Sequence, residues 1–167
     1  LIGCGVTTGM GAVFRTAQVR PGETVAVIGC GGIGLSAVQA ARISGAGMVI
    51  AIDVTDEKLE TAKTVGATHG INAATTESTV KAVRELTGGQ GVDYSFEALG
   101  LKQTAEEAFA MIRWGGTATI IGMVPVGQNI EVPGYDLLND KKLQGSMMGS
   151  NQFRTDMPRM VDMYLDG

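Results

Sequence analysis

Little in this chain of 167 residues can cross-link, and little of it is aromatic: it has two cysteines, four prolines, one tryptophan and one histidine, with aromatics at 5%. Two cysteines far apart in sequence make no disulfide framework, so a reducing cytosol is the expected compartment. No apolar run approaches the length that spans a bilayer, which excludes a transmembrane helix. The first residues carry neither a basic segment nor a long apolar stretch, so they do not read as a secretory signal. Thirteen Lys and Arg stand against 17 Asp and Glu, a formal net charge of −4 with no basic cluster, which argues against a nucleic-acid partner.

Glycine is abundant instead. There are 25, roughly twice the usual share, which points to tight turns and close backbone approaches. Nine methionines suit core gap-filling. The length fits one domain with a substantial core.

From Pro21 onward strands and helices alternate. "TVAVIG" (24–29) is a short β-branched run of the kind buried on both faces of a parallel sheet. "GCGGIG" follows, and then Ile33, Ala37, Ala40, Ala41 and Ser44 recur at helical spacing. "MVIAID" (48–53) is a second strand, after which Thr55 is placed as an N-cap with Asp56 and Glu57 in the first helical turn. "HGIN" (69–72), "VDYSFEALG" (92–100), "GTATIIGM" (116–123) and "KLQGSMMGS" (142–150) are read as four further strands. Helices are expected over 77–87 and 102–113. The segment 124–140 reads as a loop, and the last helix, capped by Asp156, is expected to present Met157, Met160, Val161, Tyr164 and Leu165 on one face. Such alternation predicts an α/β, doubly wound Rossmann fold with a six-stranded parallel sheet, its ligand crevice at the carboxyl ends of the central strands.

Gly29-x-Gly31-Gly32-x-Gly34 follows a strand and opens a helix, and Asp53 ends the next strand. Gly29 permits the sharp turn, Gly31 lets a pyrophosphate approach the backbone, and Gly34 lets helix and strand pack closely. The helix amino terminus offers N–H donors to phosphate. Asp53 is expected to accept from the adenosine ribose hydroxyls and to repel a 2′-phosphate, which favours NAD over NADP. Lys58, one turn further on, is either a ribose contact or a solvated lysine. Cys30, inside the loop, reads as a spectator rather than a reactive thiol.

With these residues in place the chain resembles the zinc-containing medium-chain alcohol dehydrogenases, and within them is similar to the class III-like and neighbouring bacterial branches. The resemblance runs over "GCGVTTGMGA", "VAVIGCGGIGL", "AIDVTDEKLETAKTVGAT", "VDYSFEALG", "GGTATIIGM" and "LQGSMMGS". It implies that residues 1–167 are a single NAD(P)-binding domain cut from a larger dehydrogenase, with 1–20 leading in from a catalytic domain and 151–167 leading back to it. It implies that Cys4 is one of three protein ligands of a catalytic zinc, the other two lying outside these residues; His69 is not at a ligand position. A zinc needs three protein ligands and an open position, so this stretch alone is not expected to hold the metal or to turn over substrate.

The resemblance further implies that Thr8 lies under the nicotinamide, that Ile33 packs behind the ring, and that Ile121-Gly122-Met123 and Ser146-Met147-Met148 line the carboxamide end. The whole enzyme would pass a hydride between an alcohol or aldehyde and NAD, with no nucleic acid or membrane involved and a cytoplasmic location. A homodimer or homotetramer is expected through the edge strand at 142–149. Glu97 reads as a structural acid rather than a catalytic one. Two alternatives stand beside this reading. One is a zinc-free NADPH-dependent quinone or enoyl reductase, which Asp53 and Cys4 disfavour. The other is a non-enzymatic nucleotide-sensing module, which shares the glycine loop but not "GCGVTTG" or "LQGSMMGS".

Overall fold

The computed structural model describes residues 2–166. Six strands form one parallel sheet in the order β3-β2-β1-β4-β5-β6: β1 Thr24–Ile28, β2 Met48–Asp53, β3 His69–Asn72, β4 Val92–Glu97, β5 Ile112–Ile120 and β6 Lys142–Gly145. Between them run α2 Gly32–Ile43, α3 Asp56–Thr64, α4 Thr79–Leu86, α5 Lys102–Met111 and the short α6 Gly134–Leu137, and α7 Phe153–Leu165 follows β6. The expected doubly wound fold is the observed one.

Alternation along β1 and β2 divides the core in two. Val25, Val27, Val49 and Ala51 face Ala37, Ala40 and Ala41 of α2 together with Leu59 and Ala62 of α3. Ala26, Ile28, Ile50 and Ile52 face Val83 of α4 and Ala108, Phe109 and Met111 of α5. Continuous β-branched runs are what a sheet covered on both sides requires. No described helix is long and apolar enough to cross a membrane.

The chain opens in a helix that the glycine-rich start gave no sign of. Thr7–Gly11 (α1) is α-helical, and Ile2–Val6 before it and Ala12–Ala17 after it are wound to the wider π pitch. Its glycines serve contact rather than flexibility. A Cβ on Gly9 would stand 2.2 Å from the Ile33 carbonyl oxygen, and one on Gly11 would stand 2.3 Å from that of Gly149. α1 is thereby wedged between the start of α2 and the segment after β6.

Other boundaries differ from the sequence reading for local reasons. β5 starts at Ile112 because Val92 pairs with Ile112 and the ladder resumes at Tyr94 with Thr117. The residues between bulge out around Gly115, whose φ is +75°. β5 ends at Ile120: the Ile121 N–H makes a last ladder bond to the Glu97 carbonyl at 2.8 Å, and the Gly122 N–H folds back to the same carbonyl at 3.0 Å. β6 is four residues rather than nine: Met148, Gly149 and Ser150 have φ of 50°, 70° and 49°, a left-handed turn that ends it.

Three helix details are corrected as well. α4 begins at Thr79, because the Ser78 hydroxyl accepts from the Lys81 N–H and fixes the cap there. Thr55 sits at the N-cap of α3, but its hydroxyl makes no capping bond; Asp53 Oδ1 accepts from the Thr55 N–H instead, at 3.1 Å. Asp156 is not the cap of α7. Gln152 is, and Asp156, in the first turn, reaches back to accept its N–H at 2.7 Å. On that helix Asp156 and Met160 are buried, whereas Val161, Tyr164 and Leu165 are exposed, so the apolar face expected there is mostly uncovered.

Candidate coenzyme crevice

Hydrogen bonds carry the ladder past the strand ends and set four loops side by side. Gly29 N–H donates to the Ile52 carbonyl at 2.8 Å, Ala98 N–H to Ile28 at 2.9 Å, Ile121 N–H to Glu97 at 2.8 Å and Ser146 N–H to Ile120 at 2.9 Å. The chain parts at β1 and β4, and a crevice opens there.

The glycine loop has the geometry its spacing implies. Gly29 has φ +93°, which favours glycine. A Cβ on Gly34 would lie 1.7 Å from the Gly29 carbonyl oxygen, so only glycine allows α2 this close to β1. Beside Gly31 and Gly32 the reverse holds: a Cβ on either would meet no heavy atom within 4 Å. That space lies at the amino end of α2, where Gly31 is the N-cap and no side chain caps the helix. Uncapped first-turn N–H groups under an open cradle favour an anion.

Asp53 stands beside this loop with its side chain 3% exposed. Its Oδ2 accepts from the Cys30 N–H at 2.8 Å, and Lys58 Nζ is 3.8 Å from Oδ1. The aspartate therefore fastens the glycine loop from below, a task the sequence reading did not assign to it. Asp53 and Lys58 also line a cavity of about 450 Å³ with Ile28, Ile52, Leu99 and Thr104. Cys30 is buried, and burial, reinforced by Asp53, pushes its thiol up to about 11. It is a poor nucleophile there.

At the far end α1 brings Thr8 against Met148, Oγ1 to Sδ at 3.9 Å across 140 positions of chain. Ser146 is buried and its hydroxyl pairs with Thr16 at 2.8 Å. Ile33, Ile121 and Gly122 are half-buried, whereas Met123 and Met147 project into solvent, 89% and 85% exposed. Thr8, Gly31, Ile121 and Ser146 lie next to the ends of α1, α2, β5 and β6. Leu99 also lines the cavity, and Gly9 and Gly100 pack closely against Ile33 and Met123. A second Gly-x-Gly inside "TTGMGA" was the available signal for Gly9, and the Gly100 turn after the β4 strand for the others.

Cys4 is exposed on the first helical turn. Among the described residues no three His, Cys, Asp or Glu side chains gather to hold a metal. His69 lies on β3, the opposite edge strand of the sheet from β6, with Nδ1 2.9 Å from the Thr68 hydroxyl. The residues present therefore do not fit a catalytic zinc.

Residues 32–165 match the family model described as zinc-binding dehydrogenase. The chain belongs to that family. It is 42% identical to the S-(hydroxymethyl)glutathione dehydrogenase of Synechocystis, over 100% of this chain and 46% of the relative. Among solved structures it superposes on an alcohol dehydrogenase zinc-binding domain protein from Burkholderia ambifaria with a TM-score of 0.95 and 38% identity, covering 99% of this chain and 45% of the other. Benzyl alcohol dehydrogenase from Acinetobacter calcoaceticus gives 0.95 and 33%, covering 99% and 46%. The chain thus spans under half the length of the relatives it matches.

Proposed function

We propose that the crevice of this zinc-binding dehydrogenase chain binds NAD. The observation that carries the reading is the open, uncapped cradle over Gly31 and Gly32 beside a buried carboxylate at the end of β2. The pyrophosphate lies over the first-turn N–H groups of α2. The adenosine ribose enters the cavity and donates its hydroxyls to the lone pairs of Asp53 that Cys30 and Thr55 leave open, with Lys58 at the rim. Thr8, Ile33, Ile121, Gly122, Met123, Ser146 and Met148 surround the nicotinamide. When bound, the coenzyme supplies hydride transfer at its ring; these residues orient that ring and shield one face.

For the whole protein we propose oxidoreduction of a small alcohol or aldehyde, with the ligand role of Cys4 completed by residues not among these 167. Two copies pair through β6, which is the outer strand of the sheet and leaves Met147, Leu138 and Tyr135 exposed nearby. A cytoplasmic location accords with two free cysteines. Sedimentation at micromolar concentration checks the pairing: dimers are expected, and a monomer would refute it.

Asp53 separates this reading from an NADPH-dependent reductase. Calorimetric titration with NADH and NADPH, on the chain and on Asp53→Asn, tests it. NADH is expected to bind the unaltered chain more tightly. The substitution should cost NADH about 10- to 100-fold, the worth of hydrogen bonds to a charged acceptor, and narrow the gap to NADPH. A preference that survives the substitution would defeat the reading.

A further inference from the structure

Glu97 ends β4 at the point where the crevice opens, and it is fully buried. Its two carboxylate oxygens are treated unequally. Oε1 accepts from the Leu99 N–H at 2.9 Å, the Gly100 N–H at 2.8 Å and the Thr104 hydroxyl at 2.8 Å. Oε2 is buried and accepts from nothing in the described chain. Such an oxygen is costly, so its placement calls for a reason. Gly122 supplies the geometric part: a Cβ there would stand 2.5 Å from Oε2 and 2.1 Å from the Gly100 nitrogen.

Two loops therefore meet on this one residue. Oε1 gathers the 98–101 loop. The Glu97 carbonyl takes the Ile121 and Gly122 N–H groups at 2.8 and 3.0 Å. Oε2 abuts the Gly122 backbone. The 98–101 loop in turn presses on the glycine loop, since a Cβ on Gly29 would meet Leu99 Cδ2 at 2.8 Å. A glutamine would disturb this set. With its oxygen at the Oε1 position, its NH2 group would point two donors at Gly122; flipped, it would oppose three donors with donors. A carboxylate is the one group of this shape with no hydrogen to place against either loop.

We propose that Glu97 is a positioning residue for the coenzyme: it sets the spacing between the 98–101 and 121–122 loops, and so the width of the crevice where the nicotinamide half of the coenzyme lies. The inference rests on the coenzyme reading above. Glu97 acts on the two halves of the ligand unequally: Leu99 and Thr104 also line the adenosine cavity, whereas the 121–122 loop borders the nicotinamide half alone.

The test is calorimetry on Glu97→Gln with two probes, NADH and 5′-AMP, which reaches only the adenosine end. NADH affinity is expected to fall by about tenfold, and AMP affinity by clearly less, since AMP meets only the 98–101 wall and not the 121–122 loop. Equal loss for both probes would make Glu97 a general structural residue, and loss for neither would make it dispensable; either overturns the proposal. If Glu97→Gln does not fold by circular dichroism, Thr104→Val decides, since it removes one Oε1 donor at the loop edge. It should weaken NADH more than AMP, and an equal loss for both or a loss for neither overturns the proposal. Failure of the unaltered chain to bind either probe would overturn the coenzyme reading itself and this inference with it.

Discussion

Alanine at Gly34 and alanine at Gly31 should have opposite consequences, although the two positions are three apart in one loop. At Gly34 two effects compete. Alanine favours the helix over glycine by about 1 kcal/mol. Against that, the new Cβ would lie 1.7 Å from the Gly29 carbonyl oxygen and 2.8 Å from its carbon. Both obstacles are backbone, so relief requires lifting the start of α2 from β1 by roughly 1.5 Å to restore van der Waals contact. The helix has no slack to give, because Ala37, Val38, Ala40 and Ala41 behind it are all fully buried. Overpacking of this kind costs about 1–3 kcal/mol even when side chains can yield, and more when they cannot.

The clash therefore outweighs the propensity. A net loss of about 3 kcal/mol should lower Tm by about 6–12 °C in a domain of this size. At Gly31 the new Cβ meets nothing within 4 Å, and φ is −78°, so Tm should stay within about 1 °C. The methyl group would then occupy the cradle and weaken NADH by about tenfold or more. Thermal unfolding followed by far-UV circular dichroism, with NADH titration of each variant, reads both. A Gly34→Ala chain as stable as the original would show that the loop is not packed as described. A Gly31→Ala chain that binds NADH normally would show that the cradle is not the phosphate site.

Two further predictions concern the scaffold. Gln18 closes the first helix with φ 56° and ψ 53°, a left-handed cap that disfavours a side chain, so Gln18→Gly should stabilise the chain by about 0.5–1 kcal/mol in urea unfolding. Arg15 donates through Nε and Nη2 to Asp156, the Nε bond being 3.0 Å, and ties the first helix to α7. The Arg15 guanidinium holds the Asp156 carboxyl below its ordinary 3.8 despite some burial, helped by the Gln152 N–H. A depressed carboxyl contributes stability above the ordinary value and loses it as pH falls through the depressed one. Arg15→Met should therefore lower the urea midpoint at pH 7, and the difference from the original chain should shrink towards zero in acid below the depressed value. A difference that is constant with pH would refute the ion-pair account.

Much of this molecule was legible because its signals are local. β1 and β2 are β-branched runs closed by glycine or aspartate, and the glycine loop with Asp53 has a spacing that means one thing between a strand and a helix. What escaped is set by contact at long range. Gly3, Gly5, Gly9 and Gly11 disguise a helix, because low propensity is overridden where Gly9 and Gly11 touch Ile33 and Gly149. The bulge in β5 and the left-handed turn at 148–150 carry no local mark strong enough to end a strand. The second duty of Asp53, holding the Cys30 N–H, and the convergence of two loops on Glu97 depend on partners that only the folded chain brings together.

A crystal structure of the chain with NADH bound tests the central claim most directly. The account predicts the pyrophosphate over the Gly31 and Gly32 N–H groups and the adenosine ribose hydroxyls on the Asp53 carboxylate. Coenzyme seated anywhere else, or an Asp53 that still bonds only Cys30, Thr55 and Lys58, would contradict it.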